Sequence, residues 1–258
     1  MGIKQKILVY KDAGVGGKSF RALMHSLESM ERQLPCIELL DRHSAREKSA
    51  FLGARLLIMP GGRDLPYVEH LSGEAVGNIR EWVEEGGAYF GICAGAYFGS
   101  SFVRFEEGTS LEIQGERELK LFPGEAVGPA FGSGVFRYNT EAGVRAAAVS
   151  VSLGSLERES LRCYFNGGCT FRGDFSSPFC KVVATYPEIA GNPPAIIRCA
   201  VGRGQAILSG VHPEFSITSL NKKDPYLQAV YPLLEEKEKE RKALFESLIA
   251  ALLCTEGF

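Results

Sequence analysis

Four short apolar runs in the first hundred residues constrain the fold more than any other feature. These runs occupy positions 7–10, 36–40, 56–59 and 88–92. The segments between them are compatible with helices, at 18–33, 43–52 and 74–85. Continuous apolar runs are typical of strands buried on both faces, and their alternation with helices predicts βαβ units in a parallel sheet. We therefore expect an α/β fold.

The second half of the chain has a different pattern, with frequent glycine turns between short strand candidates. The candidates are 134–138, 145–151, 161–165, 180–186, 195–200 and 205–210. This spacing predicts antiparallel hairpins that extend the same sheet. A helix is expected at about 232–253, where Leu244, Leu248 and Leu252 form one apolar stripe with Phe245 and Ile249. Because no linker or repeat interrupts the pattern, residues 1–258 are predicted to form a single domain.

Charge and residue usage exclude several classes of protein. With 29 basic and 31 acidic residues, the chain is nearly neutral, which argues against nucleic-acid or anionic-membrane partners. No apolar run reaches the ~18 residues of a membrane span, and no signal-peptide pattern opens the sequence, so we expect a cytoplasmic protein. Seven cysteines and four histidines show neither paired nor metal-ligand spacing, so we expect no disulfide framework, metal or cofactor.

A glycine-rich segment after the first apolar run resembles a phosphate-binding loop. It reads Asp12-Ala13-Gly14-Val15-Gly16-Gly17-Lys18-Ser19. The phosphate-loop pattern requires glycine where this chain has Asp12, whose charge would repel phosphate. We therefore favour a glycine-rich turn leading into the first helix over a nucleotide site.

A candidate nucleophile follows the fourth apolar run, in Gly91-Ile92-Cys93-Ala94-Gly95. The pattern G-x-nucleophile-x-G is typical of a tight turn from a strand into a helix, here predicted from Ala94 to Phe102. Such a turn exposes the nucleophile, and the helix N-terminus behind it favours a thiolate. The alternative is an unreactive buried cysteine at a strand end.

Two further motifs fit the same chemistry. In His212-Pro213-Glu214, the histidine could serve as the base for Cys93 and the glutamate could orient its ring, although a surface His-Pro turn is the simpler alternative. In Pro60-Gly61-Gly62, the amides could form an oxyanion hole with the N–H of Ala94, although a plain turn is the alternative. The three motifs together are more specific than any one.

The order of these motifs resembles that of class I glutamine amidotransferase-like domains, which are flavodoxin-like sheets with a Cys-His-Glu triad. A closer resemblance is to the amino-terminal domain of biotin protein ligases, over about residues 6–217. The blocks that carry it are 60–67, 91–97, 122–129, 164–168 and 210–215. The resemblance implies a mostly parallel sheet flanked by helices, with an antiparallel extension. It also implies a triad of Cys93, His212 and Glu214, and an oxyanion hole from the backbone of Gly61, Gly62 and Ala94.

Two departures from these families limit the expected function. Tyr97 stands where glutamine amidotransferases have a glutamine in the substrate pocket, which argues against glutamine as the substrate. Biotin ligases also need a G-R-G-R-x-G-R loop for the adenylate, and the nearest match here is Gly202-Arg203-Gly204-Gln205. We therefore expect a stand-alone version of the amino-terminal domain that is not a biotin ligase by itself.

Two functions remain open from the sequence. The first is a cysteine-dependent hydrolase or amidotransferase-like enzyme acting on an unknown small substrate. The second is a non-catalytic module that binds a small ligand or regulates a partner through the same pocket. The filled triad favours the enzyme. The pocket residues expected in either case are Arg63, Tyr97, Phe122, Asn166 and Gly167.

Overall fold

The fold is described from a computed structural model, for residues 4–30, 34–153 and 159–254. The end of the helix predicted at 18–33 lies at 31–33, outside the described residues. The ends of the predicted single domain 1–258 are likewise outside them.

Helices and strands alternate in the first half of the chain, as the apolar runs predict. The helices are α1 (Gly17–Glu28), α2 (Asp64–Leu71), α3 (Glu74–Glu84), α4 (Ala94–Gly99), α5 (Tyr231–Glu236) and α6 (Glu238–Leu253). The first seven strands are β1 (Lys6–Tyr10), β2 (Cys36–Leu40), β3 (Ala54–Met59), β4 (Ala88–Ile92), β5 (Ser100–Phe105), β6 (Ile113–Glu116) and β7 (Phe122–Gly128). The remaining strands are β8 (Arg145–Val151), β9 (Glu159–Phe165), β10 (Thr170–Arg172), β11 (Cys180–Thr185), β12 (Pro194–Val201) and β13 (Gly204–Ser209).

The larger sheet is half parallel and half antiparallel. Its nine strands lie in the order β2-β1-β3-β4-β13-β12-β11-β8-β9. The pairs from β2 to β13 are parallel, and those from β13 to β9 are antiparallel. The expected antiparallel extension is therefore present, but it is as large as the parallel part.

A second sheet was not expected from the sequence. It has four strands in the order β10-β7-β5-β6, so the second half of the chain does not simply extend one sheet. The helix predicted from Ala94 to Phe102 ends at Gly99, because Ser100 already begins β5 and pairs with β7. The strand predicted at 134–138 is irregular, since Gly132 and Gly134 both have positive φ angles.

Two other predicted helices are interrupted. The segment 43–52 forms two 3₁₀ turns, Ser44–Arg46 and Lys48–Phe51, because Glu47 between them has an extended backbone. The C-terminal helix is divided at Lys237 into α5 and α6. Its predicted apolar stripe is confirmed as buried.

The hydrophobic core lies on both faces of the larger sheet. Alternate residues of β1 show this arrangement, because Ile7 and Val9 face one side while Leu8 and Tyr10 face the other. Helices α1 and α6 cover the first side, and α2, α3, α4 and the second sheet cover the other. Among the described residues, no helix is long and apolar enough to cross a membrane.

Candidate functional site

The predicted catalytic and oxyanion-hole residues lie at the carboxyl ends of the parallel strands. The loop after β1 contains Gly14, the loop after β3 contains Gly61, and Cys93 and His212 follow β4 and β13. The strand order changes direction between β1 and β3. In open α/β sheets such a point leaves a crevice beyond the strand ends, where ligands bind.

Cys93 lies in the sharp turn between β4 and α4. Its φ of 50° and ψ of −103° are strained for a residue with a side chain. Its N–H donates to the carbonyl of Ser209 at 2.8 Å, which fixes the turn against β13. The two flanking glycines are required by space, since a Cβ on Gly91 would meet the carbonyl of Gly95, and one on Gly95 would meet the carbonyl of Met59.

His212 and Glu214 form a buried pair beside this turn. The Nδ1 atom of His212 lies 2.7 Å from Oε1 of Glu214. The backbone N–H of His212 donates to the carbonyl of Tyr164 at 2.9 Å, which ties the loop to β9. The rings of Tyr164 and Phe215 stack on each other, and both meet the imidazole edge to face. The imidazole is therefore held from several sides.

The surroundings of His212 favour its protonated form. Burial alone would lower the pKa of the imidazole, but the charges of Glu214 and of the Cys93 thiolate, with hydrogen bonds to both, raise it to about 10. The imidazolium lies between an acidic side chain and a thiol. This arrangement can stabilise a thiolate at Cys93 and can supply a proton.

Ser19 connects two parts of the site and was not identified from the sequence. Its Oγ accepts the N–H of Gly61 at 2.9 Å and donates to Oε1 of Glu214 at 3.2 Å. Two turns later in α1, Ser26 Oγ donates to the carbonyl of Glu214 at 2.7 Å. The available signal was the glycine-rich segment, because Ser19 is its last residue.

The three predicted oxyanion-hole residues differ in their hydrogen bonds. The amide of Gly61 already donates to Ser19, whereas the amides of Gly62 and Ala94 meet no acceptor among the described residues. Gly61 instead makes room for the neighbouring side chains. A Cβ there would lie 2.6 Å from Cε1 of His212 and 3.4 Å from Cβ of Cys93.

A cavity of about 630 Å³ opens above Cys93 and His212. Of the predicted pocket residues, Arg63, Tyr97, Asn166 and Gly167 line it. The prediction for Phe122 is wrong. Phe122 begins β7, where its ring is buried against Phe171 and Phe175 in the core of the second sheet, outside the cavity lining.

Tyr97 closes one wall of the cavity with its phenol. The hydroxyl donates to the carbonyl of Gly167 at 3.0 Å, and burial raises its pKa well above the usual value, so it stays neutral. A Cβ on Gly128 would collide with this hydroxyl. The phenol is thus held between two glycines.

The chain matches the biotin-protein ligase N-terminal family over residues 5–255. The chain belongs to this family. A biotin–protein ligase of Schizosaccharomyces pombe is 32% identical over 249 residues, which cover 96% of this chain and 37% of the ligase. An uncharacterized protein of Chlamydia muridarum is 38% identical over 215 residues, or 82% of this chain and 81% of that protein. The chain therefore spans little more than a third of the length of the yeast ligase that it resembles.

Two solved structures share the fold at low sequence identity. A cytoplasmic protein from Salmonella typhimurium LT2 superposes with a TM-score of 0.54 at 13% identity, covering 96% of this chain and 99% of that one. The GH42 β-galactosidase Gan42B also gives 0.54 at 13% identity, but only 30% of its length is covered. These likenesses concern the fold alone.

A loop at 136–141 adds cavity residues that neither the family motifs nor the spacing predicted. Phe136 and Tyr138 line the cavity, and the guanidinium of Arg63 lies 4.3 Å from the centre of the Tyr138 ring. Buried Glu141 accepts a hydrogen bond from the hydroxyl of Tyr164 and pairs with Lys18 at 2.5 Å. Among the described residues, no group of three or more His, Cys, Asp or Glu side chains is placed to hold a metal.

Proposed function

We propose that this member of the biotin-protein ligase N-terminal family is a cysteine-dependent hydrolase or amidotransferase-like enzyme for a small substrate. The observation that carries the proposal is the buried pair of His212 and Glu214 beside Cys93 in its strained turn. Strained backbone is retained where the surrounding structure holds it in place, and it is concentrated at functional sites. A buried ionisable pair in a cavity supports the same interpretation.

In the proposed reaction, the thiolate of Cys93 bonds to the carbonyl carbon of an amide or ester, and the π electrons move to the oxygen. The free amides of Gly62 and Ala94 stabilise this oxyanion. When the intermediate collapses, the bond to the leaving group breaks and the His212 imidazolium supplies its proton. His212 then takes a proton from water, and the water oxygen bonds to the thioester carbon. The C–S bond breaks, the acid product leaves, and the Cys93 thiolate and the His212 imidazolium are restored.

We further infer that the parallel half of the sheet is flavodoxin-like and belongs to the class I glutamine amidotransferase-like group. Its strand order, β2-β1-β3-β4-β13, supports this because it matches the 2-1-3-4-5 order of flavodoxin-like sheets.

We also propose a cytoplasmic location, supported by seven cysteines that are all free. Biotin ligation is not proposed for this chain, because the 258 residues contain no G-R-G-R-x-G-R loop.

Alkylation of Cys93 by iodoacetamide tests the triad. His212→Ala should slow the reaction near neutral pH, because the imidazolium no longer stabilises the thiolate, and Glu214→Gln should slow it less. All three proteins should converge at high pH, where an accessible thiol is ionised in any case. If the three pH–rate profiles superimpose, the triad is wrong.

Acylation separates an enzyme from the alternative, a non-catalytic binding or regulatory module. With p-nitrophenyl acetate, an enzyme should release nitrophenolate in a burst and then turn over, with the acetyl group on Cys93 detected transiently by mass spectrometry. Cys93→Ala should remove both phases. A stable acetyl group on Cys93 without turnover would support the binding module instead.

A further inference from the structure

The side chains that line the cavity include more cations than carboxylates. Besides the imidazolium of His212, four cationic side chains line it, Lys18, Arg21, Arg63 and Arg137, against two carboxylates, Asp64 and Glu141. Both carboxylates already have a cation, since Asp64 pairs with buried Arg117 at 2.7 Å and Glu141 pairs with Lys18 at 2.5 Å. The cavity therefore offers positive charge without a matching carboxylate of its own.

The three arginines of the lining differ in how much of their hydrogen-bonding capacity is used. Within the described part of the chain, none of them forms an ion pair with a carboxylate. Arg137 donates to the carbonyls of Gly134 and Phe136. Arg63 only stacks on Tyr138, and a stacked guanidinium keeps its N–H edge open to an anion.

Arg63 also lies close to the proposed chemistry along the chain. It directly follows Gly62, whose free amide faces no protein acceptor, and its own N–H donates to the carbonyl of Gly14 at 2.8 Å. This bond fixes the start of α2 against the loop after β1. The cavity wall also includes Phe105 and Phe136, whose rings meet edge to face.

We propose that the substrate of Cys93 carries a carboxylate, which the guanidinium of Arg63 binds while Arg21 adds long-range attraction. This inference rests on the proposed function. A planar carboxylate fits the fork of a guanidinium.

Two alkylating reagents of nearly the same size test the proposal, since iodoacetate carries a carboxylate and iodoacetamide is neutral. We divide the rate with iodoacetate by the rate with iodoacetamide, first for Cys93 and then for exposed Cys254 of the same molecule. The ratio for Cys93 divided by the ratio for Cys254 is the normalised ratio. The normalised ratio should exceed one at low salt and fall towards one in ~1 M salt. Arg63→Gln should lower it by roughly fivefold, and Arg21→Gln by less.

Arg203→Gln is the matched control, because this exposed arginine lies in the turn before β13. That turn is at the amino ends of the parallel strands, away from the cavity. It should leave the ratio unchanged. An equal ratio in the wild type, Arg63→Gln and Arg21→Gln would overturn the carboxylate proposal. This result would leave the triad untouched, because the triad is tested by the iodoacetamide rates of His212→Ala and Glu214→Gln. Circular dichroism shows whether Arg63→Gln is folded.

Discussion

At the residue scale, the organisation of the site depends on a few hydrogen bonds that cross between loops. Ser19 is the clearest case, since its hydroxyl joins the turn after β3 to Glu214. The amide of Gly61 and the carboxylate of Glu214 are both buried. If the hydroxyl is removed, water cannot take its place without a cost in folding free energy. From the first turn of α1, Ser19 therefore links the turn after β3 to the acid of the proposed triad.

Ser19→Ala should lower the free energy of unfolding by about 1–3 kcal/mol, because it leaves the amide of Gly61 without an acceptor. Urea denaturation measures this effect. Ser72→Ala is the control, because Ser72 is exposed just after α2 and its loss should cost less than about 0.5 kcal/mol. Equal stability of Ser19→Ala and the wild type would show that the bridge contributes nothing.

The protonation of His212 should be visible directly. The carboxylate of Glu214 favours the charged imidazole, so at pH 7–8 the ring should remain protonated, as the raised pKa of about 10 requires. Glu214→Gln removes that negative charge and should move the titration of His212 to lower pH. Histidine NMR follows each ring, and the resonances of exposed His43 should not change between the two proteins. A titration of His212 near 6.5 in the wild type would contradict the assignment.

At the element scale, the site depends on close approach between the turns that follow parallel strands. Gly61 lies in the turn after β3, where a side chain would push against the imidazole of His212 at 2.6 Å. The sequence predicted that these turns meet, because the carboxyl ends of parallel strands share one edge of the sheet. It did not predict that the Gly61 amide is already used by Ser19, since that contact joins residues 42 positions apart.

Gly61→Ala should reduce the iodoacetamide reactivity of Cys93 at pH 7 to that of His212→Ala, because the new methyl group displaces the imidazole. Circular dichroism should remain that of the wild type. Gly77→Ala provides the matched control, since a Cβ there would meet nothing within 4 Å. It should leave reactivity unchanged and stabilise α3 by roughly 0.5–1 kcal/mol. Wild-type reactivity in Gly61→Ala would remove the steric argument.

At the scale of the whole molecule, the sequence predicted one half of the fold better than the other. The runs 7–10, 36–40, 56–59 and 88–92 all became strands, because a continuous apolar run is a simple strand signature. Strands β1, β3 and β4 are almost wholly buried, whereas β2 at the end of the sheet is partly exposed. The second sheet was missed because its strands are only partly apolar. Phe122 was misplaced for the same reason: Pro123 and Gly124 are typical of a loop, yet they lie in β7.

The distribution of the seven cysteines gives a whole-molecule prediction. Below pH 7, limited iodoacetamide should label Cys93 first, because its turn faces the cavity beside an imidazolium. Cys163 and Cys169 should react only on unfolding, since burial raises the pKa of the Cys163 thiol to about 12 and raises that of the Cys169 thiol well above its usual value. Peptide mapping after brief labelling measures the order. Labelling of exposed Cys254 as fast as Cys93 would remove the case for electrostatic activation.

Glutamine should be a very poor substrate. Tyr97 presents no amide to the cavity, and its hydroxyl is already bonded to the carbonyl of Gly167, so the polar groups of glutamine would remain unpaired there. Ammonia release should stay well below the ~1 s⁻¹ that marks the slow end of ordinary enzymes. A coupled ammonia assay with Cys93→Ala as the blank measures it, and a faster rate would show that the tyrosine does not exclude glutamine.

The contact between Tyr97 and Gly128 restricts how this site can diverge. A side chain at position 128 would occupy the space of the phenol, so an alanine there is compatible only with a smaller residue at position 97. The reverse substitution, tyrosine into a relative that has a side chain at the position of Gly128, would be equally unfavourable. The two positions should therefore covary among homologues. In a relative that recognises a different substrate at this wall, either position 97 changed while position 128 remained glycine, or both positions changed together.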